Sequence, residues 1–247
     1  MKIDTVLNLK QELDDSPPHK DWLDKYLFKS LTKKWGALRN RETMQREVVR
    51  ADVFVKMVLP FSNTLFKREE ATIQTVCPEN VLGGHYLGHF PVDTDELPGL
   101  LNILNSYAYK DSHAEQALYT QIGEFPLYVP FEGKNRVTLF RLAQRPIQAL
   151  VNQTVYPDPE LLTLRQVRPF KDCFALELMD RSYDYSLYRQ QLISISDDST
   201  VAIIAFNESV TFFEDYGVRW GRPIYSLAAP LKKRQCRLAT AHRFYRR

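Results

Sequence analysis

The sequence predicts a mixed fold of the α/β (α+β) class, with a helical N-terminal segment, an α/β core and a β-rich C-terminal extension. Helical and strand-like patterns alternate before residue 155, whereas the patterns after it are mostly strand-like. The chain has 247 residues, of which 44% are hydrophobic and 26% charged, and this composition excludes wholesale disorder. We expect domains over residues 1–50, 51–155 and 156–247.

The N-terminal segment contains one predicted helix, over residues 21–40, after the break at Ser16-Pro17-Pro18. Its apolar residues recur at steps of three and four, which favours one buried helical face. Basic residues are frequent from Lys29 to Arg50. A solvated helix face explains them better than a nucleic-acid contact, because long basic side chains favour exposure.

The core is predicted to begin with strands over residues 53–60 and 71–78, each ended by a proline. A glycine-rich loop over residues 83–91 follows. Leucines on one face predict a helix over residues 95–107, and a second, shorter helix is expected over residues 112–119.

The clearest unit lies between residues 122 and 151. It consists of a strand over 125–131, a tight turn at Glu132-Gly133-Lys134, a helix over 135–144 and a strand over 147–151. A glycine between a strand and a helix permits a tight turn that exposes N–H groups at the helix N-terminus. Such donors suit an anion such as phosphate.

Charged side chains around this turn indicate what the anion site would contain. Lys134 and Arg136 supply positive charge, and Arg136 can hold a phosphate bidentately. Glu132 can hold Mg²⁺, act as a base or pair with a neighbouring cation. The alternative is an ordinary solvated helix start, for which two basic residues are also typical.

The string FPLYVPFEGKNRVTLFRLAQRPIQALV resembles the core of the ParB/sulfiredoxin superfamily, with a match over about residues 85–155. The resemblance implies ATP or CTP as ligand, with or without Mg²⁺. It places the triphosphate at Gly133, Lys134, Asn135 and Arg136, and makes Glu132 the catalytic candidate.

The turn also departs from that superfamily. Lys134 stands where sulfiredoxins have their catalytic cysteine, so reduction through a thiolate is not expected. Asn135 replaces the adjacent histidine, and the second arginine of the ParB box is absent, which leaves CTP chemistry open. No helix-turn-helix follows the core.

The C-terminal extension contains strands predicted over residues 174–178, 191–196, 201–206 and 209–213. Its end is strongly basic: residues 216–247 hold nine Lys and Arg and no acid, whereas residues 1–215 hold 24 Lys and Arg against 30 acids. Aromatic residues interleave with this charge, as is typical of nucleic-acid binders. The candidate nucleic-acid-binding residues are Lys232, Lys233, Arg234, Arg237, Arg243, Arg246 and Arg247. A strand followed by a solvated basic end is an equally good interpretation.

Other features give weaker indications. His85 and His89 lie in a loop with three glycines and no accompanying Glu, so we predict no metal site. The acids of Asp180–Tyr185 are better explained by a turn than by Mg²⁺. Three scattered cysteines are expected to be buried thiols of a reducing compartment. No apolar run is long enough to span a bilayer, so we expect a cytoplasmic protein with no membrane contact.

The favoured function is a nucleotide-binding protein that acts on or near DNA; an accessory role in a mobile element or defence system is what the resemblance implies. The partners would be a nucleotide, DNA or single-stranded nucleic acid, and another protein. A non-enzymatic nucleic-acid-binding or protein-assembly subunit is the alternative. A metal-dependent nuclease is a further one, and the sequence leaves open whether the protein is an enzyme.

Overall fold

The computed structural model describes residues 3–15, 39–41, 47–49, 51–83, 95–110, 115–168, 173–179, 192–196, 199–204 and 206–225. These residues form helices and mixed sheets, which confirms the α+β class at this level. The chain divides into two compact units. The central unit comprises Arg39–Val55 and Ser62–Tyr156, and the terminal unit comprises Met1–Leu38, Lys56–Phe61 and Pro157–Arg247.

The α-helices are α1 (Asp4–Asp15), α2 (Ala51–Val58), α3 (Leu97–Ser106), α4 (Arg136–Leu142) and α5 (Asn207–Tyr216). The strands are β1 (Arg39–Arg41), β2 (Glu47–Val49), β3 (Thr72–Val76), β4 (Leu118–Ile122), β5 (Tyr128–Glu132), β6 (Ile147–Thr154), β7 (Leu162–Arg168), β8 (Phe174–Leu178), β9 (Leu192–Ser196), β10 (Ser199–Ile204), β11 (Arg219–Trp220) and β12 (Ile224–Tyr225). Short 3-10 turns cover Arg68–Glu70, Pro78–Asn80, Tyr107–Tyr109 and Pro159–Leu161.

The central unit is built on a four-stranded mixed sheet in the order β3-β6-β4-β5. β4 runs parallel to β6, with Tyr119 opposite Val151, while β3 and β5 are antiparallel to their neighbours. α3 and α4 contribute Leu101, Val137 and Phe140 to the core that these strands line. Burial of these apolar side chains fixes the end of β5 and the start of α4, which hold the candidate site.

The terminal unit contains a second sheet in the order β11-β7-β8-β10-β9, with β12 also pairing with β7. Its long strands are antiparallel, and β11 and β12 run parallel to β7. α5 buries Val210, Phe212 and Phe213. The helix ends at Gly217, whose φ of 95° is the left-handed conformation that commonly ends a helix.

Most predicted elements of the core and the extension are confirmed. The strand predicted over residues 71–78 is β3, and the helix predicted over 95–107 is α3 with its 3-10 turn. The strand–turn–helix–strand unit is present as β5, α4 and β6. The strands expected over residues 174–178, 191–196 and 201–206 are β8, β9 and β10, with shifts of up to two residues at their ends.

The strand predicted over residues 53–60 is wrong, because this segment forms α2. Phe54, Val55, Met57, Val58 and Leu59 are all buried. A short apolar run of this kind cannot be told from a buried strand by its pattern alone.

Two further predictions are wrong for related reasons. Residues 209–213 lie in α5 and not in a strand, because Val210, Phe212 and Phe213, residue types that favour strands, pack here as the buried face of a helix. The short helix predicted over residues 112–119 is wrong in its described part, because residues 118–122 form β4. The sequence patterns predict neither β7 nor α1.

Several predictions fall outside the described residues. These are the helix over residues 21–38, the loop with His85 and His89, the segment Asp180–Tyr185 and the basic side chains from Lys232 to Arg247. At the end of the predicted N-terminal helix, Arg39 and Asn40 lie in β1, so the helix does not extend to them. No helix in the described part of the chain is long and apolar enough to cross a membrane.

The cysteines differ from expectation. Cys77 is exposed and its thiol is free, whereas Cys173 is buried and disulfide-bonded. The expectation of three buried thiols is therefore wrong. Since that expectation was the cysteine argument for a reducing compartment, the cytoplasmic location stays a prediction.

Candidate functional site

The candidate site is the turn between β5 and α4, from Glu132 to Arg136. Gly133 has a φ of 75°, which L side chains rarely adopt. A Cβ atom at this position would lie 3.0 Å from Nε of Arg136 and 3.1 Å from Cα of Ala117. The turn therefore requires glycine both for its backbone conformation and for its close approach to the residues before β4.

The turn brings the five predicted residues together in one short segment, but their side chains differ in exposure. Glu132 and Asn135 are exposed, whereas Lys134 and Arg136 are half-buried. A Cβ atom added to Gly83 would lie 3.4 Å from the Cβ and from the carbonyl oxygen of Lys134, so the chain packs closely against Lys134 there.

The Arg136 guanidinium is held against the start of β4. Its Nη2 donates a hydrogen bond of 2.7 Å to the carbonyl oxygen of Glu115. Its Nη1 is buried, and no atom of the described residues accepts a hydrogen bond from it. Burial lowers the pKa of Arg136, while the neighbouring Tyr119, Tyr107, Glu115 and Glu132 favour its charged form. An arginine stays protonated in proteins, so this site holds a partly desolvated positive charge with one unused donor.

Tyr119 of β4 is another buried polar residue of the central unit. The side chain is fully buried, and its hydroxyl has no hydrogen-bond partner among the described residues. Burial raises the pKa of Tyr119 strongly, against the opposing effects of Arg136 and Arg141. The hydroxyl is therefore neutral and keeps its proton available for donation.

Two further polar side chains, Arg141 and Gln116, belong to the same part of the chain as Arg136 and Tyr119. Arg141 of α4 donates from Nε to the carbonyl oxygen of Pro78 at 3.0 Å and from Nη2 to that of Val81 at 2.6 Å. Gln116, just before β4, donates from Nε2 to the carbonyl oxygen of Lys110, and its buried Oε1 receives no hydrogen bond from the described residues. Arg141 thus has its acceptors, whereas Gln116 is satisfied only in part.

The sequence indicates Arg136 as a residue of the candidate site, but it does not indicate Tyr119 or Gln116. Tyr119 falls in a segment predicted as a short helix, and an aromatic residue in an apolar segment is normally a core residue. Only the pairing of β4 with β6 and the packing of α4 place Tyr119 in the same core as Val137, the residue after Arg136.

The described residues near the turn do not form a metal site. Among the described residues, no three His, Cys, Asp or Glu side chains come together as metal ligands would. Glu132 is exposed at the end of an edge strand, and its predicted roles as Mg²⁺ ligand or base stay predictions. We therefore derive no step that passes through Mg²⁺.

Comparison with family models, with curated proteins and with solved structures finds no match for this chain.

Proposed function

We propose that the turn from Glu132 to Arg136 binds a phosphate group of a nucleotide such as ATP or CTP, in a protein that acts on or near DNA. The single observation that carries the proposal is the unused Nη1 donor of Arg136. The guanidinium is half-buried, its one hydrogen bond is to a neutral carbonyl oxygen, and no carboxylate pairs with it among the described residues.

An anion is the ligand that this arrangement favours. Removing a guanidinium from water costs free energy that a neutral carbonyl acceptor offsets only in part. A phosphate oxygen at Nη1 would supply a hydrogen bond and a negative charge in direct contact with the guanidinium, and charge-assisted hydrogen bonds of this kind are among the strongest in proteins.

The remainder of the turn is compatible with this ligand. Gly133 lets the backbone approach a bound group closely, and Lys134 adds a second positive charge next to it. α4 has only seven residues, so we give its dipole no weight and assign the binding to side-chain charge. Glu132 has the catalytic role in this proposal only if the bound nucleotide is turned over.

The direct test is calorimetric titration of the full chain with ATP, CTP, GTP and ADP, with and without Mg²⁺. Arg136→Met should weaken binding by about 1.5–3 kcal/mol, the usual size for a hydrogen bond to a charged group. Arg145→Met is the matched control, because Arg145 is also a half-buried arginine of the central unit, but its Nη2 donates a hydrogen bond to Oδ1 of Asn102 at 2.8 Å. Equal binding by the Arg136 variant and the wild-type protein, or no binding by the wild-type protein, would contradict the proposal.

One observation favours the alternative of a nucleic-acid-binding subunit. Trp220 in the edge strand β11 is 46% exposed, and the exposed Arg219 and Arg222 lie beside it in sequence. Exposed aromatic rings next to arginines can stack on unpaired bases while the charges neutralise phosphates.

A salt titration tests this alternative. Deleting residues 232–247 removes seven Lys and Arg residues. If these side chains bind phosphates of a single strand, the slope of log K against log salt should flatten by roughly 0.7 for each phosphate that the shortened protein no longer neutralises. Trp220→Ala should weaken binding without changing that slope. An unchanged slope and unchanged affinity in both variants would count against nucleic-acid binding at this end.

A further inference from the structure

Phe131 is an exposed aromatic residue directly before the turn from Glu132 to Arg136. Its side chain is 62% exposed on β5, an edge strand of the central sheet. A single exposed apolar side chain is common on protein surfaces, so exposure alone does not indicate a function. The indication comes from the backbone at Phe131 and from the ring beside it.

The backbone forms a β-bulge at Phe131. Leu118 of β4 pairs with Glu132. The next residue of β4, Tyr119, pairs with Pro130, so Phe131 is left without a partner on that strand. The extra residue of a bulge interrupts the ladder and redirects a side chain, and bulges are over-represented at sheet edges and next to functional sites.

The ring of Phe66 supports the ring of Phe131 from one side. The two rings are nearly parallel, with 14° between their planes and 6.1 Å between their centroids, which is an offset-stacked arrangement. The segment that carries Phe66 is tied to the sheet, because the carbonyl oxygen of Leu65 accepts a hydrogen bond of 3.4 Å from Nδ2 of the buried Asn152. Phe131 therefore has a fixed aromatic neighbour and still keeps most of its surface open to a ligand.

This ring lies close to the turn along the chain. Phe131 is two residues before Gly133, so their Cα atoms lie within about 7 Å of each other. A Cβ atom at Gly133 would in turn lie 3.0 Å from Nε of Arg136. A flat aromatic surface and a positive charge thus occur together, and a nucleotide joins a flat base to phosphate groups in the same way.

We propose that the exposed side of the Phe131 ring, supported by Phe66, stacks on the base of the nucleotide whose phosphate binds at the turn. This inference rests on the proposed function and adds the contact that holds the base. Stacking on an aromatic ring accepts every base, because each has a π-face. A phenylalanine ring has no hydrogen-bonding group, so it selects by the area of the base and favours purines over pyrimidines.

The experiment is calorimetric titration of the full chain with ATP and with inorganic tripolyphosphate, which carries the phosphates without a base. Phe131→Leu keeps an apolar side chain but removes the ring. It should weaken ATP binding about tenfold, which corresponds to about 1.4 kcal/mol, and leave tripolyphosphate binding unchanged. Arg136→Met should weaken the binding of both ligands, because it removes a contact to phosphate.

Phe131→Tyr is the matched control. It keeps an aromatic ring at the same position and should bind ATP as the wild-type protein does. Because Phe131 is mostly exposed, both variants should melt close to the wild-type temperature. If Phe131→Leu lost ATP and tripolyphosphate equally, the ring would only support the turn and the inference would be wrong.

The preference among bases tests how the ring binds. ATP and GTP should bind the wild-type protein more tightly than CTP does, and Phe131→Leu should reduce this difference. Tighter binding of CTP than of ATP, or a purine preference that Phe131→Leu retains in full, would contradict selection by ring area.

Titration with adenosine separates this inference from the proposed function. If ATP binding depends on Arg136 but not on Phe131, the inference is wrong and the proposed function stands. If adenosine binds the wild-type protein and is lost in Phe131→Leu, while no phosphate compound depends on Arg136, the stacking site stands and the proposed function is wrong. If the wild-type protein binds neither ATP nor adenosine, both are wrong.

Discussion

The two units each contain a half-buried arginine beside a β-strand, and the two differ in what satisfies the charge. In the terminal unit, Nε of Arg165 on β7 bonds to a carboxylate oxygen of Glu177 on β8, and Nη1 bonds to the carbonyl oxygen of Arg222 at 2.8 Å. In the central unit, Arg136 has one carbonyl acceptor and an unused buried Nη1 among the described residues. A charge that the fold itself neutralises is structural, whereas one that it leaves unmatched is a candidate for a ligand.

The largest expected effect on stability comes from breaking the ion pair between Arg165 and Glu177. Glu177 is 5% exposed, so Arg165→Met would take an ion-pair partner away from a buried carboxylate. We expect a loss of about 3 kcal/mol in the free energy of unfolding, measured by urea denaturation. Arg168→Met, on the same strand but exposed, should change stability by less than about 0.5 kcal/mol.

Replacing Arg136 of the central unit by methionine tests whether its charge is structural, as that of Arg165 is. Arg136→Met removes one hydrogen bond to a carbonyl oxygen and also removes a buried, unused donor. The net cost in stability should stay below about 1 kcal/mol, much less than for Arg165→Met. A loss as large as that for Arg165→Met would show that Arg136 is structural, and it would remove the argument for an anion site.

Glycines with positive φ provide the next comparison. Gly133→Ala in the central unit should lower the free energy of unfolding by about 2 kcal/mol, since the left-handed conformation alone costs a residue with a side chain roughly 1–2 kcal/mol. The new methyl group would also press on the backbone of Ala117, 3.1 Å away. Because the same methyl group would contact Nε of Arg136, this variant should also weaken phosphate binding in a calorimetric titration.

Gly217→Ala in the terminal unit should have a smaller effect of about 1 kcal/mol. Its φ is 95°, but a Cβ atom there would meet only the Cβ of Pro159, at an ordinary 4.0 Å. The cost is then conformational alone, without displacement of neighbours. Chemical denaturation of both glycine variants tests which loses more free energy of unfolding. Equal losses would mean that the close packing at Gly133 contributes nothing.

The smallest expected effect is on the rate at which the Cys77 thiol is alkylated. The Cys77 thiol lies 3.0 Å from Oε2 of Glu79, and the hydrogen bond between them raises the pKa of Cys77. Only the thiolate is alkylated, so a raised pKa slows the reaction at a pH below it. Glu79→Gln removes the negative charge and should speed iodoacetamide labelling of the Cys77 peptide at about pH 7.5, as measured by mass spectrometry. Glu70→Gln is the control, because Glu70 bonds to Lys67 at 2.9 Å, and it should leave the rate unchanged.

The patterns that predicted correctly are those with a local physical cause. Gly133 between an apolar strand and a helix specified the β5–α4 turn, and the proline at position 78 marked the end of β3. The segments predicted wrongly, α2 and α5, are rich in Val and Phe, and their type depends on which faces become buried. Side-chain propensity is a weak guide in such segments, because tertiary packing overrides it.

The α+β class, most strands of the two sheets and the turn with its two basic residues follow from local patterns in the sequence. Tertiary contacts set the hydrogen bond from Arg136 to the carbonyl oxygen of Glu115, and they bury the Tyr119 hydroxyl without a partner among the described residues. The reason is that hydrogen-bond satisfaction is a property of pairs of atoms. Glu115 and Arg136 are 21 residues apart and meet only in the folded unit, and no local pattern records that meeting.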